Sequence, residues 1–86
     1  MILKIINEKG LHARASAKFV ETVERFDASA EVSREGMNAG GDSIMGLLML
    51  AAAQGTEIDV KTIGLQAEEL AEALAELVNN YFGEGK

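Results

Sequence analysis

The sequence predicts an α+β fold with the element order βαββαβα, in which three helices cover one face of a four-stranded antiparallel sheet. Two kinds of pattern carry this prediction. Short β-branched or alternating segments are typical of strands, and longer segments with an apolar residue every three to four positions are typical of amphipathic helices. The chain has 86 residues and no low-complexity linker or internal repeat. We therefore expect a single domain over residues 1–86.

The first half of the chain supplies a strand, a helix and a hairpin. The run "MILKIIN" predicts a strand over Met1–Asn7, which the turn-prone "NEKG" ends. Apolar residues at helical spacing predict a helix from Ala13 to about Phe26. Two short runs in "SAEVSREGMNAGG" flank Glu35 and Gly36, a pair suited to a tight turn, and predict strands two and three.

The second half supplies a helix, a strand and a longer helix. In "DSIMGLLMLAAAQG", Ser43 stands in an N-cap position and Gly55 in a position suited to end the helix. The segment "TEIDVKTIG" alternates polar and apolar residues, which is the period of a strand with one buried face. The last helix is amphipathic, and its apolar stripe comprises Leu70, Leu74, Leu77, Val78 and Tyr81.

Composition excludes several classes of function. Asp and Glu outnumber Lys and Arg by 14 to 8, which gives a formal net charge of -6 and a pI of about 4.6. Since a nucleic-acid binder needs a basic face, nucleic acid is not an expected partner. A single histidine and no cysteine argue against a transition-metal site, and we expect no cofactor. The apolar start is too short for a signal peptide or a membrane span, so we expect a cytoplasmic protein. A monomer is the default expectation.

The only histidine, His12, lies where the first predicted strand has ended and the first helix begins, in "GLHARASAKF". A helix that begins at Ala13 directs its unpaired N–H groups and the positive end of its dipole toward His12, which favours a bound phosphate. Arg14 adds a guanidinium that pairs with phosphate oxygens. The positive field disfavours imidazolium, so we expect a neutral ring with a free lone pair, which is a competent nucleophile.

Two motifs carry a resemblance to a known family. "GLHARASAKFV" resembles the active-site signature Gly-Leu-His-x-Arg-Pro of HPr, the histidine phosphocarrier of the phosphoenolpyruvate-dependent phosphotransferase system (PTS). "DSIMGLLML" resembles that family's segment around its regulatory serine, at the family's spacing from the first motif, and "QGTEIDVKTIG" is a looser third match. The resemblance covers residues 1 to about 82. It implies the HPr-like open-faced β-sandwich, which has the element order predicted above.

The resemblance also implies residue roles and partners. His12 would be phosphorylated on Nδ1 by enzyme I and would pass the group to an IIA-type PTS protein, with Arg14 stabilising the phosphate. The protein would therefore be a stoichiometric carrier, not an enzyme. Ser43 would be a regulatory site for an HPr kinase/phosphorylase. As a plain N-cap, Ser43 would be worth about 1 kcal/mol to its helix, and both roles are compatible.

The chain departs from the family pattern at two places. Ala15 replaces the usual proline, which should preserve the helix while loosening its first turn slightly. Where sugar-transporting members carry lysines, this chain has Glu21, Glu24 and Asp42, and we call these three residues the acidic rim. Charge complementarity governs partner choice, so the acidic rim argues against a sugar-transporter component as the acceptor. The acidic rim and "SIMGLLMLAA" together resemble the regulatory or nitrogen-related branch of the PTS.

The second helix is too apolar for all of its large side chains to point inward. We expect Leu47 and Leu48 to enter the core, with Ile44 as a third candidate for it, and Met45 and Met49 to be exposed beside His12. Exposed methionines suit a surface that meets several partners. The residues predicted to contact partners are Ala13, Ala15, Ile44, Met45 and Met49.

Two other interpretations remain open at the level of sequence. A histidine near a turn is more often a cap or surface residue than a nucleophile, so the chain could be a binding module in which His12 and Ser43 are only caps. Alternatively, it could be a regulatory module that acts through Ser43 phosphorylation and binding, and the presence of His12 argues against this.

Overall fold

A computed structural model describes residues 1–86, and it has the predicted order of elements. The strands are β1 Ile2–Lys4, β2 Ser29–Arg34, β3 Met37–Gly40 and β4 Glu57–Ile63, and the helices are α1 Ala13–Glu24, α2 Ile44–Met49 and α3 Ala67–Asn79. A single 3-10 turn, Tyr81–Gly83, follows α3. The prediction of a four-stranded sheet with three helices is confirmed.

The four strands form one antiparallel sheet in the order β1-β4-β2-β3. Val32 of β2 lies opposite Val60 of β4 and Ala39 of β3, and all three side chains are buried. Their neighbours Glu31 and Asp59 are exposed. The alternation predicted from "TEIDVKTIG" therefore places one face of the sheet in the core and leaves the other open.

The core lies between the sheet and the helices. Phe19 of α1, Leu47 of α2 and Leu74 of α3 are fully buried and belong to one apolar cluster with the inward side chains of the sheet. The hairpin between β2 and β3 turns at Glu35 and Gly36, which both have positive φ, as predicted for a tight two-residue turn.

Strand β1 is shorter than predicted. The run Met1–Asn7 was expected to be extended throughout, but the ladder with β4 covers only Ile2–Lys4. Ile5 still exchanges backbone hydrogen bonds with the turn before β4, since its N–H donates to Thr56 O at 2.8 Å and its carbonyl accepts from Gly55 N at 2.7 Å. Because β4 begins only at Glu57, residues after Ile5 have no strand residues to pair with, and the chain leaves the sheet there.

Two helices also end earlier than predicted. Helix α2 ends at Met49 and not near Gly55, because Ala51 adopts a left-handed φ of 52° while Leu50 and Ala52 are drawn into the core. Helix α3 ends before Tyr81, which lies in the following 3-10 turn and is partly exposed. Tyr81 therefore does not continue the apolar stripe of α3.

None of the helices combines the length and the apolar character that crossing a bilayer requires.

Candidate functional site

The loop that carries the histidine is held rigidly between β1 and α1. Gly10 has a φ of +67°, and a Cβ at this position would lie 2.5 Å from Ala52 O. The next residue, Leu11, is buried, and its N–H donates to the same carbonyl at 2.9 Å. Only glycine permits this close approach of two backbones. The turn before α1 is thereby fixed against the segment that follows α2.

His12 is the N-cap of α1. Its backbone is extended, and its Nδ1 accepts a hydrogen bond from Arg14 N, 3.3 Å away, in the first turn of the helix. Nδ1 therefore carries a lone pair and faces the unpaired N–H groups of the helix N-terminus, where anionic groups are favoured. The sequence prediction of a helix that begins at Ala13 is confirmed.

The other ring nitrogen of His12 meets a carboxylate near the end of the chain. Nε2 makes a short hydrogen bond with Glu84 Oε2. The second oxygen of this carboxylate, Oε1, accepts from Asn7 Nδ2 at 3.0 Å, and the same amide donates to Gly10 O at 2.8 Å. Asn7 is fully buried. The ring is therefore held from both sides, by a backbone N–H on Nδ1 and by Glu84 on Nε2.

The surroundings of Glu84 favour its ionised form. Burial by itself would raise the pKa of this carboxyl, but the hydrogen bonds from Asn7 and His12 and the nearby positive charge of Arg14 outweigh burial and lower the pKa. A carboxylate at this place only accepts hydrogen bonds, so Nε2 of His12 must be the donor.

A cationic cleft of about 500 Å³ opens beside the histidine. It is lined by Lys9, Arg14, Lys18 and Lys86 together with Glu8, Gly83 and Glu84. Four cations against two carboxylates give this cleft a positive excess on a chain whose net charge is -6. The cleft is therefore locally positive and suited to an anion next to His12.

Ser43 is the N-cap of α2, as predicted. Its backbone is extended, and its Oγ accepts a hydrogen bond from Gly46 N at 3.0 Å. The residue is half-buried and makes no hydrogen bond with His12 or Arg14. Helices α1 and α2 pack against each other. The two caps therefore belong to neighbouring elements without direct contact.

Four of the five residues predicted to contact partners are exposed, and one, Ala15, is buried. Ala13 is exposed at the start of α1, and Ile44, Met45 and Met49 are exposed on α2, with the methionines 69% and 73% accessible. Of the three candidates for the core, Leu47 is buried and Leu48 half-buried, whereas Ile44 lies on the outer face.

Ala15 corrects a second expectation. It was predicted to contact partners, but its side chain is fully buried against the core. Helix geometry gives the reason, because Ala15 lies one turn before Phe19 and on the same inward face. Its side chain is not available to a partner.

Sequence analysis missed Asn7, Lys18 and Glu84. Asn7 was assigned to the end of a strand, and Glu84 lies in the tail beyond the last predicted helix. The one signal in the sequence was the pair of glycines around Glu84 in "YFGEGK", which marks the end of a helix but not the direction of the chain after it.

Comparison with known proteins gives one consistent result. A family model described as "PTS HPr component phosphorylation site" matches residues 2–80. The phosphocarrier protein HPr of Neisseria meningitidis serogroup A is 49% identical over 84 residues, which cover 98% of this chain and 94% of that protein. The phosphocarrier protein NPr of Escherichia coli is 39% identical over 83 residues, which cover 95% and 92% of the two chains.

The fold agrees with a solved structure of the same kind. HPr from Thermoanaerobacter tengcongensis matches with a TM-score of 0.93 and 34% sequence identity, over 98% of this chain and 94% of that one. The open-faced arrangement of sheet and helices is therefore the one found in that protein.

Proposed function

Because this chain belongs to the HPr family of phosphocarrier proteins, we propose that His12 accepts a phosphoryl group from phosphorylated enzyme I and passes it to an IIA-type PTS protein in the cytoplasm. The protein is a stoichiometric carrier and not an enzyme with turnover of its own. The observation that carries the proposal is the position of the only histidine, whose Nδ1 accepts a hydrogen bond from the first turn of α1.

The N-terminus of α1 suits both accepting and holding the phosphoryl group. The lone pair of Nδ1 is available for attack on phosphorus once the weak 3.3 Å hydrogen bond from Arg14 N is given up. After transfer, the same N–H and its neighbours lie beside phosphoryl oxygens, and the helix dipole favours the dianion. One arrangement therefore serves both states.

Arg14 is proposed to stabilise the phosphate. Its side chain is exposed and lines the cationic cleft beside His12. A guanidinium offers five donors in a fixed plane and pairs with phosphate oxygens in a bidentate way. Lys9 and Lys18 add positive charge to the same cleft, so it is suited to guide the phosphorylated partner toward the histidine.

The exposed apolar face of α2 is proposed as the docking surface. Ile44, Met45 and Met49 lie there, and Ala13 is exposed on the neighbouring helix. Methionine side chains adapt to different surfaces, which suits a carrier whose donor and acceptor must cover the same histidine in turn.

Two observations favour a regulatory or nitrogen-related branch for the acceptor. The residues of the acidic rim, Glu21, Glu24 and Asp42, are all exposed, so they can select partners by charge. A relative that shares 39% identity is named phosphocarrier protein NPr, although relatives named HPr reach 49%. The carrier function of His12 does not depend on which branch of the PTS supplies the acceptor.

Ser43 is proposed as a regulatory phosphorylation site for an HPr kinase/phosphorylase. Its hydroxyl is at a helix N-terminus, where an added phosphate is favourable for the helix. If this were the only function, the chain would be a regulatory binding module, and His12 would need no nucleophilic nitrogen. The availability of Nδ1 supports the carrier over that alternative.

The test is incubation with phosphoenolpyruvate and enzyme I, followed by intact mass. The wild-type protein should gain one phosphoryl group, and His12→Ala should gain none while its melting curve stays close to that of wild type, since His12 lies outside the apolar core. Ser43→Ala is the matched control and should be labelled like wild type. Labelling of His12→Ala would refute the carrier proposal.

A further inference from the structure

The segment from Tyr81 to Glu84, which we call the C-terminal hook, is anchored in the core. Phe82 is fully buried. Its carbonyl accepts a hydrogen bond from Lys18 Nζ at 2.6 Å, which ties the C-terminal hook to α1. An aromatic side chain is among the largest apolar groups that a core can bury. The C-terminal hook is therefore an integral part of the fold.

The backbone of the C-terminal hook is strained in a way that turns the chain back toward His12. Tyr81, Phe82 and Gly83 have φ values of 57°, 53° and 77°. Two consecutive left-handed residues that are not glycine are rare, because the left-handed region is unfavourable for a residue that carries a Cβ. Such strain persists only where other contacts impose it, and here the burial of Phe82 and the bond from Lys18 do so.

This turn places the carboxylate of Glu84 between Asn7 and His12. Asn7, itself fixed to Gly10 O, donates to Glu84 Oε1, which leaves Oε2 directed at Nε2 of His12. The amide orientation of Asn7 is determined, since both groups facing Nδ2 are acceptors. Two distant parts of the chain thus meet at Nε2 of His12: the segment from Asn7 to His12, and the C-terminal hook.

We propose that Glu84 is a positioning residue for phosphoryl transfer, which accepts the Nε2 proton of His12 in a hydrogen bond and thereby keeps Nδ1 unprotonated and aimed at the N-terminus of α1. The proposal deepens the proposed function and rests on it. A histidine nitrogen is selected for chemistry by the hydrogen bond that the other nitrogen makes. Both observed bonds of His12 select the same tautomer, because Nε2 faces an acceptor and Nδ1 faces a donor.

Glu84 also has a role in the balance of charge. When the Nδ1 lone pair bonds to phosphorus, the bond from phosphorus to the donor atom breaks, and the donor atom keeps the electron pair. The proton stays on Nε2, so the ring becomes cationic. Glu84 carries the negative charge next to that cation, as the buried carboxylate of a catalytic triad does for its histidine. The reverse step returns the ring to the neutral form.

The test compares Glu84→Ala and Glu84→Gln with wild type and with Glu72→Gln. Glu72 is an exposed glutamate on α3 that makes no ion pair or hydrogen bond through its side chain, so this control matches the loss of charge. Nitrogen-15 NMR of the unphosphorylated proteins gives the tautomer of His12, rapid-quench labelling with phosphorylated enzyme I gives the transfer rate, and melting curves identify any variant that fails to fold.

Glu84→Ala should lose the preference for the Nε2–H tautomer and transfer more slowly by roughly 10- to 100-fold, by analogy with the loss of a partner that orients a metal-binding histidine. Glu84→Gln keeps an acceptor but no charge, so it should retain the tautomer and lose less rate. An unchanged tautomer and a rate equal to that of Glu72→Gln would overturn the role of Glu84. Failure of wild type to accept phosphate would instead refute the proposed function, while the tautomer would still test the contact.

Discussion

At the scale of single residues, the site depends on positions that contribute no reactive group. Gly10 permits the loop before His12 to approach Ala52 O, and Asn7 holds the carbonyl of Gly10 from the other side. Neither residue has a chemistry that suggests a catalytic role. They matter because the direction of the His12 ring follows from the path of this loop.

Gly10→Ala should lower the free energy of unfolding by about 2 kcal/mol or more, because a left-handed backbone and a backbone clash add together. Gly55→Ala is the matched control: it has a φ of +89°, but a Cβ there would meet nothing within 4 Å. Urea denaturation of both variants measures the difference. Equal losses would show that the approach to Ala52 O is easily relieved and does not fix the loop.

At the scale of elements, local patterns predicted the secondary structure and tertiary contacts decided its limits. Strand β4 and the hairpin were predicted because alternation and a Glu-Gly turn are local signals. The predicted end of α2 near Gly55 was wrong. The helix ends at Met49 because Leu50 and Ala52 are buried in the core, and no local sequence pattern indicates that burial.

The residues of the candidate site that lie at helix starts could be predicted from the sequence. These are His12, Arg14 and Ser43, because capping and apolar spacing indicate where α1 and α2 begin. Glu84 was missed because its contact with His12 joins residues 72 positions apart and depends on two left-handed residues before it. Since Tyr81 and Phe82 have no preference for that conformation, the direction of the C-terminal hook follows from the burial of Phe82 and the hydrogen bond from Lys18.

The N-cap of α2 carries a prediction at this scale. Ser43→Asp should slow transfer from enzyme I to His12, mainly through a weaker apparent affinity, because a negative charge is added near the acidic rim. Its melting temperature should be unchanged or slightly raised, since aspartate also caps a helix. Ser43→Ala is the control and should lose about 1 kcal/mol of stability with little effect on transfer.

The apparent affinity is measured by titrating enzyme I against wild type and the two Ser43 variants. Melting curves of the same proteins give their stability. If Ser43→Asp and wild type transfer equally at every enzyme I concentration, Ser43 is only a helix cap and the regulatory proposal is wrong.

At the scale of the whole molecule, the fold brings one reactive nitrogen to a surface and blocks the other. The sheet and the three helices form a single core, and the two chain segments that flank His12 are fixed to it through Gly10 and Phe82. On an acidic chain, the positive charge that phosphate requires is gathered in the cleft beside that histidine. We propose that this arrangement directs the phosphoryl group to Nδ1 of His12.

The most direct test is to label the wild-type protein with phosphoenolpyruvate and enzyme I and to locate the phosphorus by phosphorus-31 and nitrogen-15 NMR. The account predicts a single phosphoramidate on Nδ1 of His12, labile in acid and stable in base, with the proton retained on Nε2. Phosphorus on Nε2, or an acid-stable phosphate on a hydroxyl such as that of Ser43, would contradict it.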